Sequence, residues 1–231
     1  MLIKRRLMTE AVVLEMLGQM GAIVADSHVV YTKGDHGTAY IDKDWAMHKT
    51  PADVLIAYQI AHRFKDREIE VVVGPETGGA ILAKLVAIEL VQLTGKSVNF
   101  AYARKRQGGG FEFQSQYPAL ITGHRVLVVE DILNTGGSAL DTVNAVKALG
   151  GILVGLGALC NRGGVTASQV GDPPEFFSTV NVTLDRYPPD SCPLCEAGTP
   201  FNIKVGHGRK FLHDHPEMRH LAPAGYVPPQ G

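Results

Sequence analysis

Between Glu68 and Cys160 the chain alternates short apolar runs with longer segments of helical periodicity, and this alternation limits the possible fold more than any other feature. EIEVVVGP, SVNFAYA, RVLVVED and GILVGLGALC read as strands, while GGAILAKLVAIELVQL and SALDTVNAVKAL read as helices. Strands apolar on both faces need cover on both faces, so the pattern predicts an α/β fold with a mostly parallel sheet flanked by helices. FFSTVNVTL adds a further strand. Upstream, Thr50-Pro51 opens a helix running to about Phe64. HVVYTKGDHGTAYID reads as two short strands around a Lys33–Asp35–Gly37 turn, and Ala11 to Leu17 as a first helix, capped by Thr9, that packs as a lid.

At 231 residues and 45% hydrophobic the chain can bury one substantial core with an appendage. Lys+Arg 22 against Asp+Glu 23 gives a formal charge of −1, which excludes a global basic field for a nucleic-acid backbone and leaves local charge for a small anion. No run approaches the roughly 18 apolar residues of a membrane span, and no secretory leader is expected. Three cysteines do not make a disulfide framework, so the expected setting is a reducing cytoplasm.

In open α/β sheets ligands bind beyond the carboxyl ends of the strands, which points to the loops after Val73, Ala103, Val129 and Cys160. After Val129 come Glu130 and Asp131, then Asn134, Thr135, Gly136, Gly137 and Ser138 leading into a helix. The free amides of a helix N-terminus suit a phosphate. Two carboxylates repel one; they suit hydroxyls, a bound Mg²⁺ or a developing cation. Taken alone, such an acid pair can simply cap a turn. A phosphorylated sugar satisfies both halves of the pattern. Two other glycine clusters, TGKS at 94–97 and GLGALC at 155–160, lack the residues and context of nucleotide-binding loops.

VLVVEDILNTGGS resembles the phosphoribosyl-pyrophosphate signature of the type I phosphoribosyltransferases, and the resemblance extends over about residues 20–200 toward the orotate branch of that family. It implies Mg²⁺ as cofactor, phosphoribosyl pyrophosphate and orotate as substrates, a place in pyrimidine synthesis, and a homodimer with shared active sites. GPETGGAILA is similar to the family's pyrophosphate loop and implies contacts from Glu76, Thr77, Gly78 and Gly79, with Gly78 standing where a lysine is often found. The hood-like YTKGDHGTAYID carries over Lys33 to the leaving group and Tyr40 and Ile41 to the base. AYARKRQGGGFEF matches the mobile catalytic loop through Arg104 and Lys105, although Arg106, Gln107 and three glycines replace the usual lysine and histidine. In LCNRGG, Arg162 takes the position that contacts the pyrimidine. A purine acceptor and a non-catalytic sensor of the donor are the alternatives.

The implied organisation is an N-terminal helix and hood over 1–50, a core over 51–185 and a Cys/Pro/His-containing tail over 186–231. In the tail, Cys192 and Cys195 followed by His207 and His213 approach Cys₂His₂ zinc spacing, with His215 and His220 as further candidates, yet EAGTPFNIKVG offers no finger helix. The final LAPAGYVPPQG is proline-rich and expected to be disordered or to lie on a partner.

Overall fold

The computed structural model describes residues 5–42 and 50–228. Among the described residues ten strands follow in chain order: β1 (Ile23–Val24), β2 (Val29–Val30), β3 (His36–Gly37), β4 (Tyr40–Ile41), β5 (Val71–Pro75), β6 (Asn99–Lys105), β7 (Phe111–Phe113), β8 (Arg125–Leu133), β9 (Ile152–Asn161) and β10 (Phe176–Asn181). The chain divides into two units, Met1–Leu17 with Lys43–Thr183 and Gly18–Asp42 with Leu184–Gly231. Residues 18–42 thus group with the tail, and the first helix up to Leu17 groups with the core.

In the first unit six strands form one sheet in the order β10-β9-β8-β5-β6-β7, parallel except for β7. Helix Gly137–Ala148 covers one face, where Ala139, Val143 and Val146 join Val71, Val73, Ala101, Val126, Val128, Leu156 and Ala158 in a single apolar cluster. Helices Thr50–Phe64 and Gly78–Thr94 pack together on the other face. The glycines of GLGALC have their reason here. A Cβ on Gly155 would lie 2.4 Å from Phe64 Cε1, and one on Gly157 2.7 Å from Ile60 Cγ2, so both residues admit the helix to the sheet. The TGKS turn is a helix stop, with Gly95 at φ 68° and its amide donating to Val91 O.

The first helix spans Glu10–Gln19, and Thr9 Oγ1 accepts from Val12 N at 3.4 Å. It is not a free lid. Val13 and Leu17 are buried, Met8 N donates to Gln59 Oε1 at 3.0 Å, and Arg5 forms a bidentate pair with the buried Glu89. No helix among the described residues is long and apolar enough to cross a membrane.

The second unit is built from both ends of the chain. β2 and β3 form an antiparallel hairpin in the register Val29↔Gly37 and Val30↔His36, and β1 pairs with β4. Tail segments extend this framework: Asn202 N donates to His28 O at 2.7 Å, His207 N to Val30 O at 2.8 Å, and His36 exchanges backbone bonds with Tyr187. Val30, Phe201, Phe211, Leu212 and Leu221 form its core, and Ala222 and Tyr226 pack against them. The start of LAPAGYVPPQG is therefore ordered packing; residues 229–231 lie outside the described residues.

Overpacking at the helix–sheet contact is costly, so Gly155→Ala is expected to destabilise the protein by about 1–3 kcal/mol. Urea denaturation should show a lower midpoint with an unchanged slope.

Candidate active site

The strand order reverses at β5: the chain leaves β5 for β6 on one side and returns to β8 on the other. A crevice opens beyond the carboxyl ends of strands at such a switch point. Here it is bounded by the loop following Pro75 and by the end of β8, and both carry the residues singled out from the sequence.

Glu130 and Asp131 lie near the end of β8, just before Ile132 and Leu133, and are each 4% exposed. Their carboxylates are oriented by backbone amides: Asp131 N donates to Glu130 Oε1 at 3.1 Å, and Ile132 N to Asp131 Oδ1 at 2.7 Å. The two glycines of the facing loop make room for them. A Cβ on Gly78 would lie 2.0 Å from Asp131 Oδ2, and one on Gly79 3.3 Å from Glu130 Oε1 and 2.6 Å from Pro75 Cδ. A side chain at position 78 would therefore meet the Asp131 carboxylate where it now stands.

Beyond the acid pair, Asn134, Thr135, Gly137 and Ser138 are exposed and Gly136 is buried. Gly136 has φ 79°, and a Cβ there would lie 3.0 Å from both Val165 Cγ1 and Val170 Cγ1, so conformation and space both require glycine. Leu140 N donates to Gly136 O, which starts the helix and leaves the first-turn amides directed outward. Glu130, Asn134, Thr135, Gly136, Gly137 and Ser138 line a recess of about 70 Å³, room for a phosphate group beside an acid pair.

Glu76 behaves differently from its expected part in the pyrophosphate loop. Its amide donates to Ala103 O at 2.9 Å, and its carboxylate accepts from Lys105 N at 2.9 Å and lies 3.8 Å from Arg104 Nε. It fastens the loop to β6, which leaves Thr77, Gly78 and Gly79 at the helix N-terminus to face an anion.

β6 runs past Ala103 to include Arg104 and Lys105, which pair with Glu112 and Phe111 of β7. The expected mobile loop is accordingly a β-hairpin closed over 106–110, where Arg106 N donates to Gly110 O and three successive glycines have positive φ. Both cations are exposed at its base, and Arg104 Nη2 donates to Tyr102 OH at 3.2 Å. On the other side, Arg162 N and Gly163 N both donate to Leu133 O, and a Cβ on Gly163 would lie 1.6 Å from Asn134 O. The Arg162 loop is thereby pressed onto the phosphate turn. Asn161 shapes it with two bonds to Val165, a role that its sequence context did not signal. Arg162 Nε is buried without a hydrogen-bond partner among the described residues. Burial pushes the neighbouring Cys160 thiol up to about 12, so it is no nucleophile at neutral pH.

Lys33, Tyr40 and Ile41 belong to the second unit. Lys33 is exposed in the turn of the β2–β3 hairpin and Tyr40 is half-buried, but Ile41 is only 2% exposed and is core. A cavity of about 590 Å³ in that unit includes Lys33, His207, Phe211 and Met218. Volume is a weaker guide than the convergence of amides, acids and cations on the two glycine loops.

A parallel sheet whose switch point joins an acid pair to a phosphate turn defines a protein that handles a phosphorylated sugar. The chain belongs to the phosphoribosyltransferase family, and the model of the phosphoribosyl transferase domain matches residues 54–190. It is 32% identical over 199 residues to the orotate phosphoribosyltransferase of Thermoanaerobacter sp. (strain X514), covering 86% of this chain and 97% of that one. The orotate phosphoribosyltransferase of Desulforamulus reducens is 31% identical over 188 residues, with 81% and 92% covered. The Mycobacterium tuberculosis H37Rv orotate phosphoribosyltransferase, solved in complex with 5-phospho-alpha-D-ribosyl 1-diphosphate, superposes with a TM-score of 0.58 at 25% identity over 75% of this chain and 96% of that one.

Gly78→Ala should force Asp131 or the facing loop aside. An ångström of misplacement can cost on the order of 10²-fold in rate, and initial rates of pyrophosphate release will measure it.

Proposed function

We propose that the protein transfers the phosphoribosyl group of 5-phospho-α-D-ribosyl 1-diphosphate to orotate, giving orotidine 5′-monophosphate and pyrophosphate, as a step of pyrimidine synthesis in the cytoplasm. The observation that carries this reading is the buried Glu130–Asp131 pair beside a phosphate-sized recess at the sheet's switch point. Relatives named for the reaction and matched over most of their length support the choice of acceptor.

In this reading the amides of 135–138 bind the 5′-phosphate, while the acid pair holds the ribose hydroxyls. As the bond from the anomeric carbon to the diphosphate oxygen breaks, positive charge develops on the ring, and the two buried carboxylates stabilise it. A ring nitrogen of orotate then forms the new bond at the anomeric carbon. Thr77, Gly78 and Gly79 receive the leaving pyrophosphate, with Arg104 and Lys105 as its cations. Arg162, whose guanidinium suits a carboxylate in bidentate fashion, orients orotate. Magnesium fits the donor set, because the site offers hard carboxylate oxygens opposite a phosphate turn. Glu130 and Asp131 would hold it through hydroxyls and water, and when bound it neutralises diphosphate charge.

Purified protein with Mg²⁺ and donor is expected to release pyrophosphate with orotate and not with adenine, guanine or hypoxanthine. Asp131→Asn should lower the rate about 10²-fold. Turnover of a purine instead of orotate would overturn the acceptor and leave the donor assignment standing; no turnover of any base would favour a donor sensor.

The active form in this proposal is a homodimer in which the 104–110 hairpin serves the neighbouring chain's site. Mixing an Arg104→Ala/Lys105→Ala protein with an Asp131→Asn protein should then restore about a quarter of wild-type activity, since about half the dimers are hybrids with one intact site each. Demonstrated subunit exchange without recovery would place the hairpin in cis.

A further inference from the structure

Four side chains converge in the second unit although they come from opposite ends of the sequence. His28, His36 and Cys192 are buried and Cys195 is partly so, and one ligand atom from each lies within 4.8 Å of all the others. His28 Nε2 is 3.2 Å from His36 Nδ1, 3.6 Å from Cys192 Sγ and 3.7 Å from Cys195 Sγ, while Cys195 Sγ is 3.4 Å from His36 Nδ1. Four ligands around one ion at about 2.0 Å for nitrogen and 2.3 Å for sulfur would be spaced about 3.3–3.8 Å apart. The observed separations match the edges of such a tetrahedron. The two histidines replace His207 and His213 as partners of the cysteines: His207 instead meets Thr32 Oγ1 at 3.2 Å, and His213 pairs with Asp214 at 3.0 Å.

Hydrogen bonding alone does not account for the cluster. His28 Nδ1 lies 2.7 Å from Thr199 O, and a carbonyl accepts only, so Nδ1 carries the proton and Nε2 presents one lone pair. Three groups crowd that lone pair. A bonded carbonyl behind a ring nitrogen is also the usual means of orienting a metal-bound histidine. The cysteines are set by a short turn: Cys192 immediately precedes helix Pro193–Glu196, Glu196 N donates to Cys192 O, and Gly198, at φ 69°, returns its amide to Cys195 O. Both sulfurs are thereby presented to the same point. Phe201 packs at 4.1 Å from the His28 ring, and Phe201 and Phe211 meet the His36 ring edge-on at 5.1 and 5.0 Å, which shields the two imidazoles from solvent.

We propose that His28 Nε2, His36 Nδ1, Cys192 Sγ and Cys195 Sγ bind one structural Zn²⁺ that joins the base of the β2–β3 hairpin to the C-terminal tail. Zinc displaces the two thiol protons, and two thiolates with one dication leave a neutral centre that suits burial. All four positions are filled by protein, so the ion has no place for a reacting water. Its work is to hold the hairpin whose turn carries Lys33.

The test uses the full chain, reduced and without an affinity tag. Metal analysis should find about one zinc per chain. The apoprotein should bind Co²⁺ with the intense visible bands of a tetrahedral ion and a thiolate-to-cobalt charge-transfer band, and should melt at a lower temperature than the zinc form. His28→Ala and His36→Ala should each weaken cobalt binding at least about tenfold, while His207→Ala and His213→Ala bind it like wild type. A reduced wild-type chain that gives no tetrahedral cobalt spectrum overturns the proposal, and this measurement decides even where a histidine variant fails to fold. Unchanged affinity in folded His28 and His36 variants overturns it as well.

Discussion

The close approach of the 76–79 loop to the end of β8 is the contact on which the rest of the site depends. With Asp131 Oδ2 in the space a Gly78 side chain would need, the acid pair and the helix N-terminus that follows Thr77 share one wall. A Cβ at Gly78 would meet the Asp131 carboxylate, so this wall stays intact only while the acid and the glycine keep their places. The parallel pairing of β5 with β8, Val71↔Val126 through Val73↔Val128, brings the two loops side by side. The sheet's order therefore acts as part of the chemistry: its switch point sets the distance between charges of opposite purpose.

Around this contact the other loops are fastened by interactions that spend polar groups on position. Glu76 gives its carboxylate to Arg104 and to the amide of Lys105, and Asn161 gives both ends of its amide to Val165. They fix the cationic hairpin on one flank and the Arg162 loop on the other, which is the rigidity that electrostatic preorganisation requires.

The core fold was legible because its strands are apolar on both faces and its helices carry clear periodicity. The donor turn was legible because acids and small residues lie contiguously in one stretch. What the sequence concealed depends on partners far away along the chain. The GLGALC glycines answer to Phe64 and Ile60, and the β6–β7 pairing hides in a basic, glycine-rich run that reads as a loop. The cysteine pair invited a search among histidines downstream, the direction in which contiguous zinc modules run, whereas His28 and His36 lie more than 150 residues upstream, 164 for the His28–Cys192 pair. The remaining signal was His28 and His36 themselves, both within the predicted hairpin segment.

A unit assembled from both ends of one chain also has an order of events imposed by synthesis. The hairpin of residues 28–37 emerges well before Phe201, Phe211 and Leu221, which with Val30 make its core. At ~5–20 residues per second the hairpin waits on the order of ten seconds with its histidines and valines uncovered. The intervening sheet can condense in that interval, because its own core draws on none of the missing residues. Completion of the hood thus waits on the segment that supplies Phe201, Phe211 and Leu221, and a chain released before it keeps its sheet while leaving the hairpin without its floor.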